Sequence, residues 1–185
     1  MKGWWLVTYA TVPPTRYSKT KGILKAESVG ARSSLYKEVA EKERDYPFLF
    51  WRWKVSNVVR SAIETRKDRY DAAAKVIVVF GAEKRFRFFT QQPEGIRIEY
   101  IWASRLPRGR IFDHPGEQNC KIFVLESGEG LAEQWAAETR DVRKDYKTAF
   151  KTDPPGVWAV GIETETDHSN EMVTAWYSEP AFRKK

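Results

Sequence analysis

Ten short runs rich in β-branched and aromatic residues, each closed by a turn former, commit this chain to a fold built from sheets. They are Trp4 to Ala10, Ile23 to Ser28, Ser34 to Val39, Phe48 to Val55, Ala73 to Phe80, Arg85 to Phe89, Ile96 to Ala103, Cys120 to Glu126, Val157 to Thr166 and Met172 to Ser178. Pro13-Pro14, Gly30, Pro47, Gly81, Pro93, Pro107, Pro115-Gly116 and Pro154-Pro155-Gly156 punctuate them. Only two segments read as helical. Ser56 to Arg69 is a polar connection expected to hold a short helix or to move. Leu131 to Phe150 ends on an apolar face at positions 142, 146, 149 and 150, before Pro154-Pro155 stops it. Many strands with one late helix predict a mainly β, jelly-roll-like antiparallel β-sandwich with one short helix, not an alternating α/β fold. With 185 residues and no repeat or linker, a single domain over 1–185 is expected, its ordered core spanning about residues 4–180.

Burial follows from the strand pattern. Leu49, Trp51, Val76, Val78, Phe80, Ile98, Ile122, Val124, Val160 and Ile162 are predicted to form the core. In Phe48 to Val55 the side chains alternate: Phe48, Phe50, Arg52 and Lys54 share one face, Leu49, Trp51, Trp53 and Val55 the other. Trp51 and Trp53 are read as core aromatics, with a stacking platform for a planar ligand as the competing reading. Arg52, beside two phenylalanines, calls for a partner.

Composition excludes several functions. The longest apolar run, Val76 to Phe80, is far short of the roughly 20 residues a membrane-spanning helix needs. The single cysteine, Cys120, forbids an intrachain disulfide and a cysteine metal cluster, and its strand-like surroundings predict a buried thiol. Two histidines are too few for a histidine-rich metal site. The net charge of +7 invites a nucleic-acid reading, but 32 Lys and Arg are interleaved with 25 Asp and Glu, so a solvated basic surface is the better one. The densest basic cluster, Lys84 to Arg87, has Glu83 beside it. No phosphate-binding loop, Ser-His-Asp arrangement or zinc signature is present.

Five motifs in order carry a family resemblance. They are Tyr46 to Val55 (YPFLFWRWKV), Tyr70 to Phe80 (YDAAAKVIVVF), Tyr100 to Ser104 (YIWAS), Glu138 to Val142 followed by Asp145-Tyr146 and Phe150, and Thr164 to Ser169 (TETDHS) followed by Ala175-Trp176-Tyr177. Together they resemble the bacterial domain of unknown function 3047, from about Trp4 to Glu179. The resemblance implies an exported protein whose leader has been removed, periplasmic or secreted, although a cytoplasmic chain would begin the same way. It also implies kinship with sugar-binding jelly rolls at the level of fold. The chain departs from the family pattern at Lys75, where Arg is usual, at Glu165, where Asp is usual, and at His168, where Asn is usual. A site needing a bidentate guanidinium or two short carboxylates is therefore in question.

Two groupings could carry chemistry. Along Val157 to Asp167, Glu163, Glu165 and Asp167 project from one face at a spacing of two and repel unless a cation joins them. Arg52, Lys75, Arg140 or a bound ion could serve, and Glu165 and Asp167 are the pair that would hold Ca²⁺, the alternative to no cofactor at all. Arg140 is expected within ion-pair reach of Glu165 or Asp167. Asp141 is expected to cap the late helix. With Trp102, Trp176 and Tyr177, these residues make the candidate ligand set: Arg52, Lys75, Trp102, Arg140, Asp141, Glu165, Asp167, Trp176 and Tyr177.

The function expected is a non-catalytic module binding a carbohydrate or cell-envelope polymer. The alternatives are a glycan hydrolase using Glu163, Glu165 and Asp167, and a purely structural envelope protein. Nucleic-acid binding ranks last.

Overall fold

A computed structural model provides the structure; it describes residues 1–81, 85–87 and 90–185. Among these residues, thirteen strands form two packed sheets. The strands are β1 (Trp4–Thr8), β2 (Arg16–Thr20), β3 (Ile23–Val29), β4 (Ser33–Glu38), β5 (Phe48–Val55), β6 (Ala72–Phe80), β7 (Ile96–Ala103), β8 (Ile111–Asp113), β9 (Cys120–Ser127), β10 (Ala136–Asp141), β11 (Val157–Glu165), β12 (Met172–Ser178) and β13 (Ala181–Arg183). One helix, α1 (Val142–Phe150), follows β10. The larger sheet runs β1-β4-β11-β6-β7-β9-β8; the smaller runs β10-β5-β12-β3-β2, with β13 also on β5. Neighbours are antiparallel except β7 and β9, which run parallel because the chain crosses over through β8 between them. The expected mainly β sandwich is the fold found.

All ten residues assigned to the core are at most 3% exposed. Even-numbered positions of β6 and β7 and odd-numbered positions of β5 meet between the sheets, as the pleat requires. Cys120 is buried too, and burial pushes its thiol well above the usual range.

Differences arise where pattern is weak. The segment expected to be helical from Leu131 is strand over Ala136–Asp141, because it pairs along the open edge of β5; only Val142–Phe150 is helix. Asp141 caps that helix as expected, accepting from the Lys144 N–H at 3.0 Å. Ser56 to Arg69 holds only a 3₁₀ turn at Lys67–Arg69 and is pinned by buried Val58, Val59 and Ala62. Of the expected strand Arg85 to Phe89, Phe86 makes an isolated bridge to Pro93, while 88–89 lie outside the described residues, as does residue 84 of the basic cluster. β11 slips register at Val157/Ala159, so Trp158 packs with Val7, Ile77 and Val79 on the outer side of the larger sheet. Gly161 in the same strand leaves room for the Tyr36 ring: a Cβ there would lie 2.6 Å from it.

The two sheets also meet at a carboxylate pair. Glu126 of β9 and Glu138 of β10 lie near enough to repel, and burial with the Glu126 charge alongside pushes Glu138 up to about 7. A raised acid favours the folded state below its ordinary value near 4.5 and loses that contribution as pH rises through 7. Glu138→Gln is therefore expected to stabilise the protein at pH 8 by about 1 kcal/mol, discounted for partial exposure, and to change little at pH 4. Thermal melts at the two pH values check this; equal shifts at both would refute it.

Candidate functional site

The outer face of the larger sheet carries a buried ionic cluster. Glu163 and Lys75 face each other across β11 and β6, and Glu99 projects from β7 on the other side of β6. Lys75 Nζ lies 3.1 Å from Glu163 Oε1 and 3.6 Å from Glu99 Oε2, and it also pairs with Glu165. Arg32, on the turn between β3 and β4, closes the group with its Nε 2.8 Å from Glu165 and 3.6 Å from Glu163. Tyr70 donates to Glu99 at 2.7 Å while its ring lies 4.1 Å from the Lys75 ammonium. Tyr9 stacks under the Arg32 guanidinium, and Ser34 donates to Glu163. Lys75 and Glu165 have no exposed surface at all.

A register slip between Glu163 and Glu165 makes this possible. Where the β6–β11 ladder opens, the Tyr177 hydroxyl accepts from the Lys75 N–H at 3.3 Å and donates to the Glu163 carbonyl at 2.8 Å. Thr164, between the two acids, turns inward to the same hydroxyl at 2.7 Å. Tyr177 is thus a brace behind the cluster, within the core.

Lys75 and Arg32 pair directly with three carboxylates here. Burial raises every carboxyl in the cluster, and the nearby cations oppose it. Lys75, His114 and Arg97 outweigh burial at Glu99 and hold it at about 2. Lys75 and Arg32 likewise outweigh burial and hold Glu163 low, with the hydrogen bond from Ser34 adding to them. Burial and the Glu163 charge keep Glu165 well above the ordinary range.

Above this closed cluster lies a cavity of about 160 Å³, lined by Arg32, Lys67, Tyr70, His114, Glu117 and His168 together with the Pro115-Gly116 turn. It holds both histidines of the chain. His114 packs on Tyr70 with centroids 4.5 Å apart, and its Nδ1 accepts the Gly116 N–H at 3.1 Å, leaving the proton on Nε2. That buried Nε2 has no hydrogen-bond partner among the described residues, and neither has Asp167 Oδ1. Burial pushes His114 below its ordinary range, against the opposing pull of the Glu99 charge. His168 is placed by Asp71, whose carboxylate accepts the N–H groups of His168 at 3.3 Å and Ser169 at 2.8 Å. The donor atoms of Asp71, Asp167 and His168 lie within 4.8 Å of one another. An open groove of about 380 Å³ along Asp113 to Asn119 leads away from the cavity.

The sequence-predicted site residues fall into four places. Lys75, Glu163 and Glu165 join in the cluster, and Asp167 stands beside the cavity. Glu165 is therefore committed to Lys75 and Arg32, and the oxygen donors nearest Asp167 belong to Asp71 instead. The expected pairing of Arg140 with Glu165 or Asp167 does not form. Arg140 grips Asp145 at 2.6 and 2.9 Å, because β10 lies at the edge of the other sheet and points Arg140 toward Tyr100 and α1. Asp141 is a helix cap. Trp102 is wholly buried, its inward position on β7 leaving the indole N–H to bond the Gly128 carbonyl at 3.0 Å. Arg52 and Trp176 are on the outer face of the smaller sheet, and Arg52 finds its partner in the Trp135 ring. Sequence reasoning missed Arg32, Tyr70 and His114. Gly30 signals the turn that presents Arg32, but nothing in the sequence aims that turn at β11.

The family model described as "Protein of unknown function (DUF3047)" matches residues 2–180. No curated protein matches the chain in sequence. Among solved structures, the xyloglucanase domain of NopAA, a type three effector from Sinorhizobium fredii in complex with cellobiose, superposes with a TM-score of 0.50 at 9% identity, covering 100% of this chain and 95% of that one. A family 12 xyloglucanase from Bacillus licheniformis gives 0.42 at 12% identity, covering 98% of this chain and 88% of its own. A family 11 xylanase from Neocallimastix patriciarum gives 0.39 at 11% identity, covering 97% and 100%. At such identities the likeness is one of fold.

Proposed function

The chain belongs to the DUF3047 family of proteins of unknown function, and from that premise we propose that it is a non-catalytic carbohydrate-binding protein whose site is the cavity over the ionic cluster. The observation that carries this reading is a small polar cavity lined by Tyr70, Arg32 and both histidines, with a buried Nε2 on His114 that lacks a hydrogen-bond partner among the described residues. Buried polar atoms are normally satisfied, so this N–H suits a hydroxyl-bearing ligand that accepts from it. The cavity is smaller than the ~300–1,000 Å³ of drug-sized sites, which limits it to one sugar unit at a time, with the groove along Asp113 to Asn119 receiving the rest of a chain. The fold shared with a xyloglucanase domain that holds cellobiose is consistent with a glycan. The reading carries with it an exported protein acting on an extracellular or envelope polymer.

A glycan array followed by calorimetry tests it. Binding of a neutral oligosaccharide is expected, weakened about tenfold by His168→Ala, which removes a partly exposed ring and leaves the fold intact. Absence of binding across a broad neutral and acidic panel would sink the proposal.

A hydrolase reading has one observation behind it. Glu163 and Glu165 are neighbouring carboxylates pushed in opposite directions, one below and one above the ordinary range, as a base and an acid would be. Their complete burial under Lys75 and Arg32 opposes it. Release of reducing ends that disappears in Glu163→Gln would favour this reading over the first.

A further inference from the structure

The outer face of the smaller sheet carries a row of alternating cations and indoles. Trp176 of β12 is paired directly with Lys25 of β3 on one side and with Lys54 of β5 on the other. Lys54 lies 4.1 Å from the centroid of the Trp176 ring. Trp135, immediately before β10, continues the row beyond β5; it is 41% exposed and stacks under the Arg52 guanidinium at 5.4 Å. Two large aromatic rings and three cations thus share one exposed face, well apart from the cavity on the opposite sheet.

We infer that this face docks an acidic polysaccharide, a chain bearing carboxylate or sulfate on its sugars. Each indole holds a cation over one face; a sugar ring packs on the apolar surface that the cation leaves open, and the cation meets its anionic substituent. Lys25 and Lys54 stand two strands apart, about 10 Å, so the row offers widely spaced charges. Glu27 and Glu133 already pair with Lys25 and Lys54 at 2.9 and 3.2 Å, which keeps the net charge of the face moderate. Such exposed pairs exchange partners at little cost. Duplex DNA, with a charge every ~1.7 Å along its axis, demands denser neutralisation than this face provides. Arg52 has no carboxylate partner among the described residues and is ready to meet an anion.

Affinity electrophoresis and calorimetry with polygalacturonate test the inference, with fully methyl-esterified polygalacturonate and duplex DNA as competitors. The unaltered protein is expected to bind polygalacturonate, more weakly as salt is raised, and to bind the esterified polymer at least tenfold less well. Trp176→Ala and Arg52→Glu are each expected to weaken binding about tenfold while His168→Ala leaves it unchanged, which separates this face from the cavity. Equal affinity for the esterified polymer, tighter binding of DNA, or full binding by both face variants would overturn it. The two substitutions are on exposed or half-exposed side chains, and an unchanged thermal midpoint shows that each variant is folded.

Discussion

Lys75→Met is expected to cost about 3–5 kcal/mol of folding stability at pH 7. The side chain has no exposed surface and lies among Glu99, Glu163 and Glu165. Methionine fills much the same space, so the loss reports charge and not volume. Without the ammonium, Arg32 alone faces three buried carboxylates, and leaving buried charge unpaired is the expensive event, more than forming the pair was profitable in the first place. Lys75→Arg restores the charge and is expected to recover most of the stability. The pH dependence has a definite sign. Glu99 is held at about 2, so its contribution is present above its ordinary value near 4.5 and is lost as pH falls toward 2. In Lys75→Met the same carboxyls take up protons at higher pH and relieve the repulsion. The gap between the two proteins is therefore expected to narrow from pH 7 to pH 3. Urea unfolding at both pH values measures it, and a loss below about 1 kcal/mol, or a gap that does not narrow, would show that the cluster is solvated and not closed.

The fold was largely legible because strand alternation is a local signal. The pattern of Phe48 to Val55 assigns Trp51 and Trp53 to the core and Arg52 to the outside, and the structure agrees at every position. β10 was not legible: Ala136–Asp141 has weak strand character, and its pairing with β5 is a tertiary event that no local window contains. The candidate site divides the same way. Lys75, Glu163 and Glu165 stand out because charges inside apolar strands require one another. Arg140 stood out for the same reason, yet its partner is Asp145, five residues on, across the β10–α1 junction. Proximity in sequence outweighed the charge balance that pointed to the closing hairpin. Arg32, Tyr70 and His114 are on connections, where side-chain direction depends on the whole chain path.

Trp51→Ala is expected to cost about 3–5 kcal/mol. The ring is 2% exposed and packs edge-on against Trp53 at 5.5 Å and against Tyr100 at 5.4 Å between the sheets. Truncation removes both contacts and leaves a void that two sheets fixed by their ladders cannot close. Trp51→Phe separates packing from polarity. The Trp51 indole N–H is buried with no hydrogen-bond partner among the described residues, a cost of about 1–3 kcal/mol in the native protein. Phenylalanine loses some contact area but also removes that orphaned donor, so it is expected to cost well under half of the alanine value. Chemical unfolding of the three proteins decides the matter. A loss below about 1 kcal/mol for Trp51→Ala would mean that the ring meets solvent; it would return Trp51 to the role of a sugar-stacking platform and move the binding surface into the gap between the sheets.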